Sequence, residues 1–324
     1  MKINYNKLFV AILTLGITFN FFCSPKELNT WEFEDSLVYV EGKELFAGRF
    51  GDVVLLDKDS ESIIKITNDS YFDSNPFFFK DSTIAFISKR RKKDLGSGLA
   101  KSDDLYLFSL EDKSLSMEIS DAINPIFIKN DDSYIYYMVY GDGGYELRNI
   151  ENLENDSVYM VTKYIPDLLT RFTVATNSEK ILYEYIAQLD GIFVSTLMLY
   201  DIQKNEKIDF LQKLNKEKKE KLFRNSCFSG TFHPKENKFL FSCQNYSNNA
   251  TKLFEYNYEE ESLNELFSST TLIMKNINYG KSGSIYFIGY SSDEERDDIW
   301  MINDNGELIQ ITDSNTEKDN LDVR

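Results

Sequence analysis

The chain of 324 residues contains a single histidine, His233, and that scarcity bounds its chemistry. One imidazole makes no multi-histidine metal site, and a Ser–His–Asp triad would have to be built on this one residue. It lies in FHPKEN between two apolar runs, the setting of a turn, so a solvated turn residue is expected. No Gly-x-Ser-x-Gly elbow, P-loop or dinucleotide fingerprint occurs. No catalytic residue, metal ligand or cofactor is therefore assigned. Carboxylates are plentiful, as in SSDEERDD from Ser291, and they keep one alternative open: a hydrolase or lyase acting on a glycan or peptide in a channel with carboxylates alone.

Proline and glycine are also scarce. Only 5 Pro and 15 Gly exclude a fibrous or low-complexity chain, while 42% hydrophobic and 15% aromatic residues give ample material for a core. Positive charge is in short supply, with 36 Lys and Arg against 53 Asp and Glu for a net charge of −17. Such a field repels nucleic-acid phosphates and keeps the chain soluble, so nucleic acid is excluded as a partner.

Long hydrophobic runs are absent except at the start. Residues 8–22 form a mostly apolar stretch behind Lys2 and Lys7, interrupted by Thr14, Thr18 and Asn20 and free of acids. It falls short of the roughly 20 residues of a spanning helix and reads as an export signal. Cys23 closes the run, placed like the lipidated cysteine of a bacterial lipoprotein signal. The positions before it hold Asn20 and Phe22 where that signal carries Leu and a small residue, so an ordinary signal or uncleaved anchor is the competing reading. Cleavage after residue 22 removes two lysines and no acid, taking the charge from −17 to −19. The expected layout is signal 1–22, tether 23–34, folded domain 35–312 and tail 313–324, in a lipid-anchored envelope protein, periplasmic or surface-exposed.

Two further cysteines, Cys227 and Cys243, flank the turn around Lys235 at eight residues on either side. Symmetry about the turn sets them opposite each other on two strands. A bridge there would close a loop of about 15 residues and contribute roughly 3 kcal/mol. A register slip of one residue would leave two buried thiols instead.

What the chain has in abundance is a repeated phrase: an apolar strand, a variable loop, a second apolar strand, then Ile/Val-Thr or a variant. The first strand appears as ELFAGR at Glu44, TIAFIS at Thr83, YIYYMV at Tyr134, KILYEY at Lys180, KFLFSC at Lys238 and SIYFIG at Ser284, spaced by 39, 51, 46, 58 and 46 residues. That period matches four-stranded propeller blades. The expectation is an all-β, six-bladed β-propeller of four-stranded antiparallel blades, with units near 35–67, 72–120, 124–162, 166–214, 226–269 and 272–312. Residues 37–42 supply the inner strand of the first unit. Pro76 and Pro125 fit the first residue of a strand. The ring closes either through residues 31–34 or through the tail folding back. Asn303, Asp304, Asn305 and Gly306 form a hairpin turn; the closing Glu of a calcium loop is replaced by Thr312.

DVVLLD, KIT and NPFFFKDSTIAFISKR, and again DIWMINDNGELIQIT, resemble the TolB-type, WD-like propeller repeat of bacterial envelope proteins. His233 stands where that repeat has Ser. The resemblance covers most of 35–312 and implies a docking platform for other proteins.

Two basic clusters interrupt the acidic background: Lys89, Arg90, Arg91, Lys92 and Lys93, and Lys216, Lys218, Lys219, Lys221 and Arg224. In an antiparallel four-stranded blade the loops from second to third strand emerge on the same side as the connections to the next blade. Both clusters are therefore expected on one docking face, for an envelope protein or polysaccharide, in a monomer. Two solubilising loops are the plainer reading.

Overall fold

The computed structural model describes residues 34–324 apart from 43–50, 80–81, 91–103, 120–122, 129–133, 142–143, 152–157, 166–168, 176, 178, 190–191, 219–225, 246–249, 292–295 and 315; for the strand residues within 119–171, and for 189, 192 and 215–218, it describes backbone alone. The expected signal, the tether as far as residue 33 and Cys23 lie outside the described residues.

The described chain forms six four-stranded antiparallel sheets. The first sheet holds β1 (Leu37–Gly42), β2 (Gly51–Asp57) and β3 (Ser62–Lys65). The second runs β4 (Asp73–Phe78), β5 (Thr83–Ser88), β6 (Asp104–Ser109) and β7 (Leu115–Ile119); the third β8 (Ile123–Ile128), β9 (Tyr134–Gly141), β10 (Gly144–Glu151) and β11 (Val158–Ile165). The fourth holds β12 (Leu169–Val174), β13 (Lys180–Leu189), β14 (Ile192–Asp201) and β15 (Glu206–Ile208), followed by helix α1 (Phe210–Lys218). The fifth is β16 (Ser226–Phe232), β17 (Lys238–Gln244), β18 (Thr251–Asn257) and β19 (Ser262–Ser269); the sixth β20 (Leu272–Tyr279), β21 (Ile285–Ser291), β22 (Arg296–Ile302) and β23 (Leu308–Gln310). The last strand, β24 (Glu317–Val323), joins the first sheet in the order β24-β1-β2-β3. Each sheet packs its inner strand on its neighbours, β4 on β24, β8 on β4, β12 on β8, β16 on β12, β20 on β16 and β24 on β20. This is a propeller of four-stranded blades. The β8–β11 sheet is described through its backbone alone.

The first blade corrects the sequence expectation. Residues 37–42 are its second strand, and the tail supplies the inner one: Glu41 pairs with Lys318 on one side and Asp52 on the other. Leu37, Val38, Tyr39 and Val40 are all at most 3% exposed. Burial on both faces is what a strand between two partners requires, as in β5, where Ile84, Ala85, Phe86 and Ile87 are equally buried. Residues 44–49, read as that strand, lie outside the described residues. Of the two routes to closure, the tail is the one observed.

The repeated Ile-Thr ends the blade in a defined way. The Ile66 and Ile311 amides donate to the carbonyls of Val53 and Ile299 at 2.8 Å. Thr67 and Thr312 Oγ1 then accept the N–H groups of the same two residues, at 2.8 and 2.9 Å. A hydroxyl thus replaces a missing fourth-strand carbonyl, satisfying a buried donor.

Inner strands carry a second repeat that the sequence reading misplaced. Pro76 and Pro125 lie inside β4 and β8, at register shifts between Ser74 and Phe77 and between Ile123 and Ile126. A bulge leaves a residue unpaired, so the missing N–H costs nothing there. Asn75, Ser229, Asn276 and Asn320 adopt φ of 47°, 60°, 52° and 52° in β4, β16, β20 and β24. Asn tolerates this left-handed region better than most residues. At Ser229 the following Gly230 matters: a Cβ there would lie 2.3 Å from Leu182 Cδ2.

The bulges knit the blades together. Asn276 N–H donates to Ser229 Oγ (2.9 Å), its Nδ2 to Asp319 (2.6 Å), and Asn278 Nδ2 to the Leu321 carbonyl (2.7 Å). Ser229 N–H reaches Glu184 (3.2 Å), and Phe78 N–H reaches Asp322 (2.9 Å).

Candidate docking face

Because first and third strands run one way and second and fourth the other, each blade has two ends. Turns joining strands one to two and three to four share one end, the turn side. Loops joining two to three, and connections between blades, share the opposite connection side.

The turn side is locally saturated. Glu61, Lys113, Asn205, Glu261 and Gly306, each just before a fourth strand, have φ between 47° and 80°. The Asn303 turn is one of these hairpins: its Oδ1 accepts the amides of Asn305 (3.1 Å) and Glu307 (2.9 Å). His233 belongs to the turn between β16 and β17, where it is half-buried rather than solvated. Its Nδ1 accepts the amides of Lys235 (3.1 Å) and Glu236 (2.9 Å), replacing the hydroxyl of the family's Ser. Burial lowers its pKa below the ordinary 6.5, against a smaller opposing pull from Glu236.

The connection side is varied. Arg90, expected to face a partner, turns inward: its guanidinium meets Asp69 (2.6 Å) and Asp73 (2.8 Å) and lies over the rings of Tyr71, Phe86 and Tyr106 at 5.3–5.6 Å. Burial opposes its charge, and Asp73 and Asp69 more than offset that, holding its pKa above the usual value. Lys89 lies 4.6 Å over Phe72. Arg90 is therefore a structural residue. Arg91, Lys92, Lys93, Lys219, Lys221 and Arg224 lie outside the described residues, and Lys216 and Lys218 are described only as backbone of α1.

That helix was not anticipated. Asp209 caps it, its carboxylate accepting the Gln212 amide at 2.8 Å. Phe210, Leu211 and Leu214 are buried in the cluster shared by the fourth and fifth blades, with Phe210 centroids 5.1 Å from both Phe239 and Tyr256. An Asp before apolar residues at helical spacing was the available signal. Cys227 and Cys243 join this cluster as direct register partners and are disulfide-bonded, with Cα atoms 4.0 Å apart.

A second cluster missed in the sequence lies where the sixth blade meets β24. Lys318, with no side-chain exposure, donates to Ser314 Oγ (2.7 Å) and to the carbonyls of Thr316 (3.2 Å) and Asp297 (3.3 Å), and pairs with Asp298 (3.3 Å). Asp298 also holds Arg296 (3.0 Å), while Asp297 meets Lys275 (3.1 Å). Burial raises the Asp297 pKa, and Lys275 only partly counters it. The cluster latches the chain's end into the ring.

One element projects. β13 and β14 pair continuously from Lys180–Asp201 to Leu189–Ile192, yet β12 stops pairing at Tyr185 and β15 covers only Leu199 to Asp201. The described part of this hairpin beyond Tyr185 therefore overhangs its blade on the connection side. Among the described residues, the exposed large apolar side chains Ile63, Leu115, Met117, Leu266 and Leu308 are spread over fourth strands; the remaining two, Ile186 at 41% and Phe193 at 69%, share the hairpin. Phe193 pairs with Gln188 and Ser195 with Ile186, so both apolar side chains lie on one face of the ribbon.

The described residues contain no group of three or more His, Cys, Asp or Glu able to hold a metal ion. Near the inner strands Glu184, Asp319 and Asp322 are engaged with neighbouring donors.

No family model matches the chain, and no curated protein does. Solved structures do. A TolB from Acinetobacter baumannii aligns over 90% of this chain and 67% of its own at TM-score 0.65 and 14% identity. A putative TolB from Agrobacterium tumefaciens aligns over 86% and 90% at TM-score 0.53 and 11% identity. Hydrazine synthase from Kuenenia stuttgartiensis aligns over 89% of this chain and 46% of its own at TM-score 0.61 and 10% identity. At such identities the likeness is one of fold alone: a β-propeller, as in the TolB structures.

Proposed function

We propose that the chain is a six-bladed envelope scaffold, exported through residues 1–22, anchored by lipid on Cys23, and monomeric, which binds another envelope protein on its connection side. The observation that carries this reading is the overhanging β13–β14 hairpin with Phe193 and Ile186 exposed on one face. Exposed aromatic and aliphatic side chains grouped on one face are recurrent anchors of protein interfaces. Protein fits this ribbon better than an envelope polysaccharide, whose hydroxyls would leave the aliphatic Ile186 unmatched. The fold likeness to TolB structures supports a binding role, as does the engagement of the carboxylates near the inner strands.

The test begins with the partner recovered from envelope extract by the full chain. With that partner purified, I186S/F193S should weaken binding at least tenfold while leaving the urea midpoint unchanged. Unaltered affinity would contradict the reading.

A further inference from the structure

His233 is tied to its turn through one ring nitrogen. Nδ1 accepts two backbone amides, those of Lys235 at 3.1 Å and Glu236 at 2.9 Å. The turn is closed from both sides by the His233 amide donating to the Lys238 carbonyl at 2.8 Å and the Lys238 amide donating to the Glu236 carbonyl at 2.8 Å. The imidazole then meets the next blade: its centroid lies 4.6 Å from that of Tyr279 in β20, edge on. Tyr279 in turn donates to Glu255 at 3.2 Å.

An imidazole accepts at Nδ1 only when neutral with its proton on Nε2; the charged ring has two donors and no acceptor. Adding a proton at Nδ1 would turn that donor toward two N–H groups. We infer that His233 is an acid-sensitive clasp, which holds the β16–β17 turn against the sixth blade while neutral and releases it on protonation.

The charged and titratable groups around the ring are Lys235 and Glu236 in its own turn, Lys238 in β17, Glu255 in β18 and Tyr279 in β20. Glu236 lies 3.5 Å from Nε2 and favours the cation, but it is also held by Lys238 at 3.0 Å. Lys238 is shared with Glu255 at 3.2 Å, so the two carboxylates facing the ring are both partly neutralised. Burial of the ring, at 17% side-chain exposure, works with the two lysines against the charged form. The sign follows. A histidine whose folded pKa lies below its unfolded value takes up protons on unfolding, so its contribution is complete above about pH 6.5 and is lost as pH falls through the folded pKa. Release would loosen the turn side between the fifth and sixth blades, the end opposite the projecting hairpin. Any use of the clasp in response to external acidity rests on the envelope location proposed above; the clasp itself does not.

Because the chain has one histidine, its imidazole gives a single, unambiguous signal. The experiment is nitrogen NMR of that imidazole in the full chain across pH, combined with hydrogen-exchange protection of the Lys235 and Glu236 amides. The expected result is the Nε2–H tautomer, a midpoint below 6.5, and protection that falls by up to about tenfold per pH unit between pH 6.5 and that midpoint and levels off below it. H233N, which keeps an acceptor that does not titrate, should retain protection in acid. A proton on Nδ1, a midpoint at or above 6.5, or wild-type protection indifferent to the titration would overturn the inference; the first two are read on the unmutated chain.

Discussion

The two ends of the blades differ in kind. On the turn side a left-handed residue recurs before the fourth strand, at Glu61, Lys113, Asn205, Glu261 and Gly306, and the neighbouring amides are satisfied within a few residues. Among the described residues the connection side carries an overhanging hairpin and a buried ion network that seats β24, while the link after β15 is a helix driven between blades whose Lys213 reaches Glu261 of the turn side. Repetition marks the side that holds the blades in shape. On the function proposed above, individuality would mark the side where a partner is chosen, since loops on a folded scaffold are where binding specificity resides. Yet the connection side is not uniform. Its inward-turned members, Arg90 and Lys318, stabilise the ring, and its exposed members, Phe193 and Ile186, contribute little to it.

Reduction of the Cys227–Cys243 bridge should cost about 3 kcal/mol, because the bond shortens a hairpin loop in the unfolded chain. Denaturant curves with and without reductant check this, and coincident curves would count against it. The comparison breaks next at Lys318. K318M leaves Asp298 to Arg296, Gln310, Thr312 and the Ser314 amide, and leaves the Thr316 and Asp297 carbonyls without their lysine donor; it should lower stability by about 1–3 kcal/mol, read as a drop in urea midpoint. An unchanged midpoint would mean that the latch is dispensable to ring closure. On the turn side E61G should stabilise by about 0.5–1 kcal/mol, since glycine adopts the left-handed conformation without the steric cost, less its greater freedom when unfolded. The sharpest contrast is I186S/F193S, which should leave stability within about 0.5 kcal/mol of the wild type while removing the partner.

The blades were legible in the sequence because each is a local unit. Strand phrases such as TIAFIS and KFLFSC carry burial on both faces in their composition, and Ile-Thr marks a fixed hydrogen-bonded ending. The pairing of Cys227 with Cys243 was open between two readings, since symmetry about Lys235 fixes opposition only if no bulge intervenes. A shift does occur, between Phe228 and Thr231, and the two cysteines still meet. Closure was less legible. EKDNLDVR has the polarity of a tail, and its role as an inner strand depends on β1, more than 270 residues earlier, and on Lys318 finding Asp298 across a blade boundary. The projecting hairpin was written as KILYEYIAQLDGIFVSTLMLYD, ten-residue strands around Asp-Gly, but its exposure depends on where β12 and β15 stop, which no local pattern states. Basic residues misled for the same reason: Arg90 looks solvated until Asp69, Asp73 and three aromatic rings are folded around it.

The most direct test of the docking face places a photo-crosslinking amino acid at position 193, on the projecting hairpin, or at position 113, on the turn side, in cells carrying the full chain. A discrete adduct from position 193 and none from position 113 is the predicted result. Adducts from position 113 with none from position 193 would put the partner on the wrong end of the propeller and contradict the account.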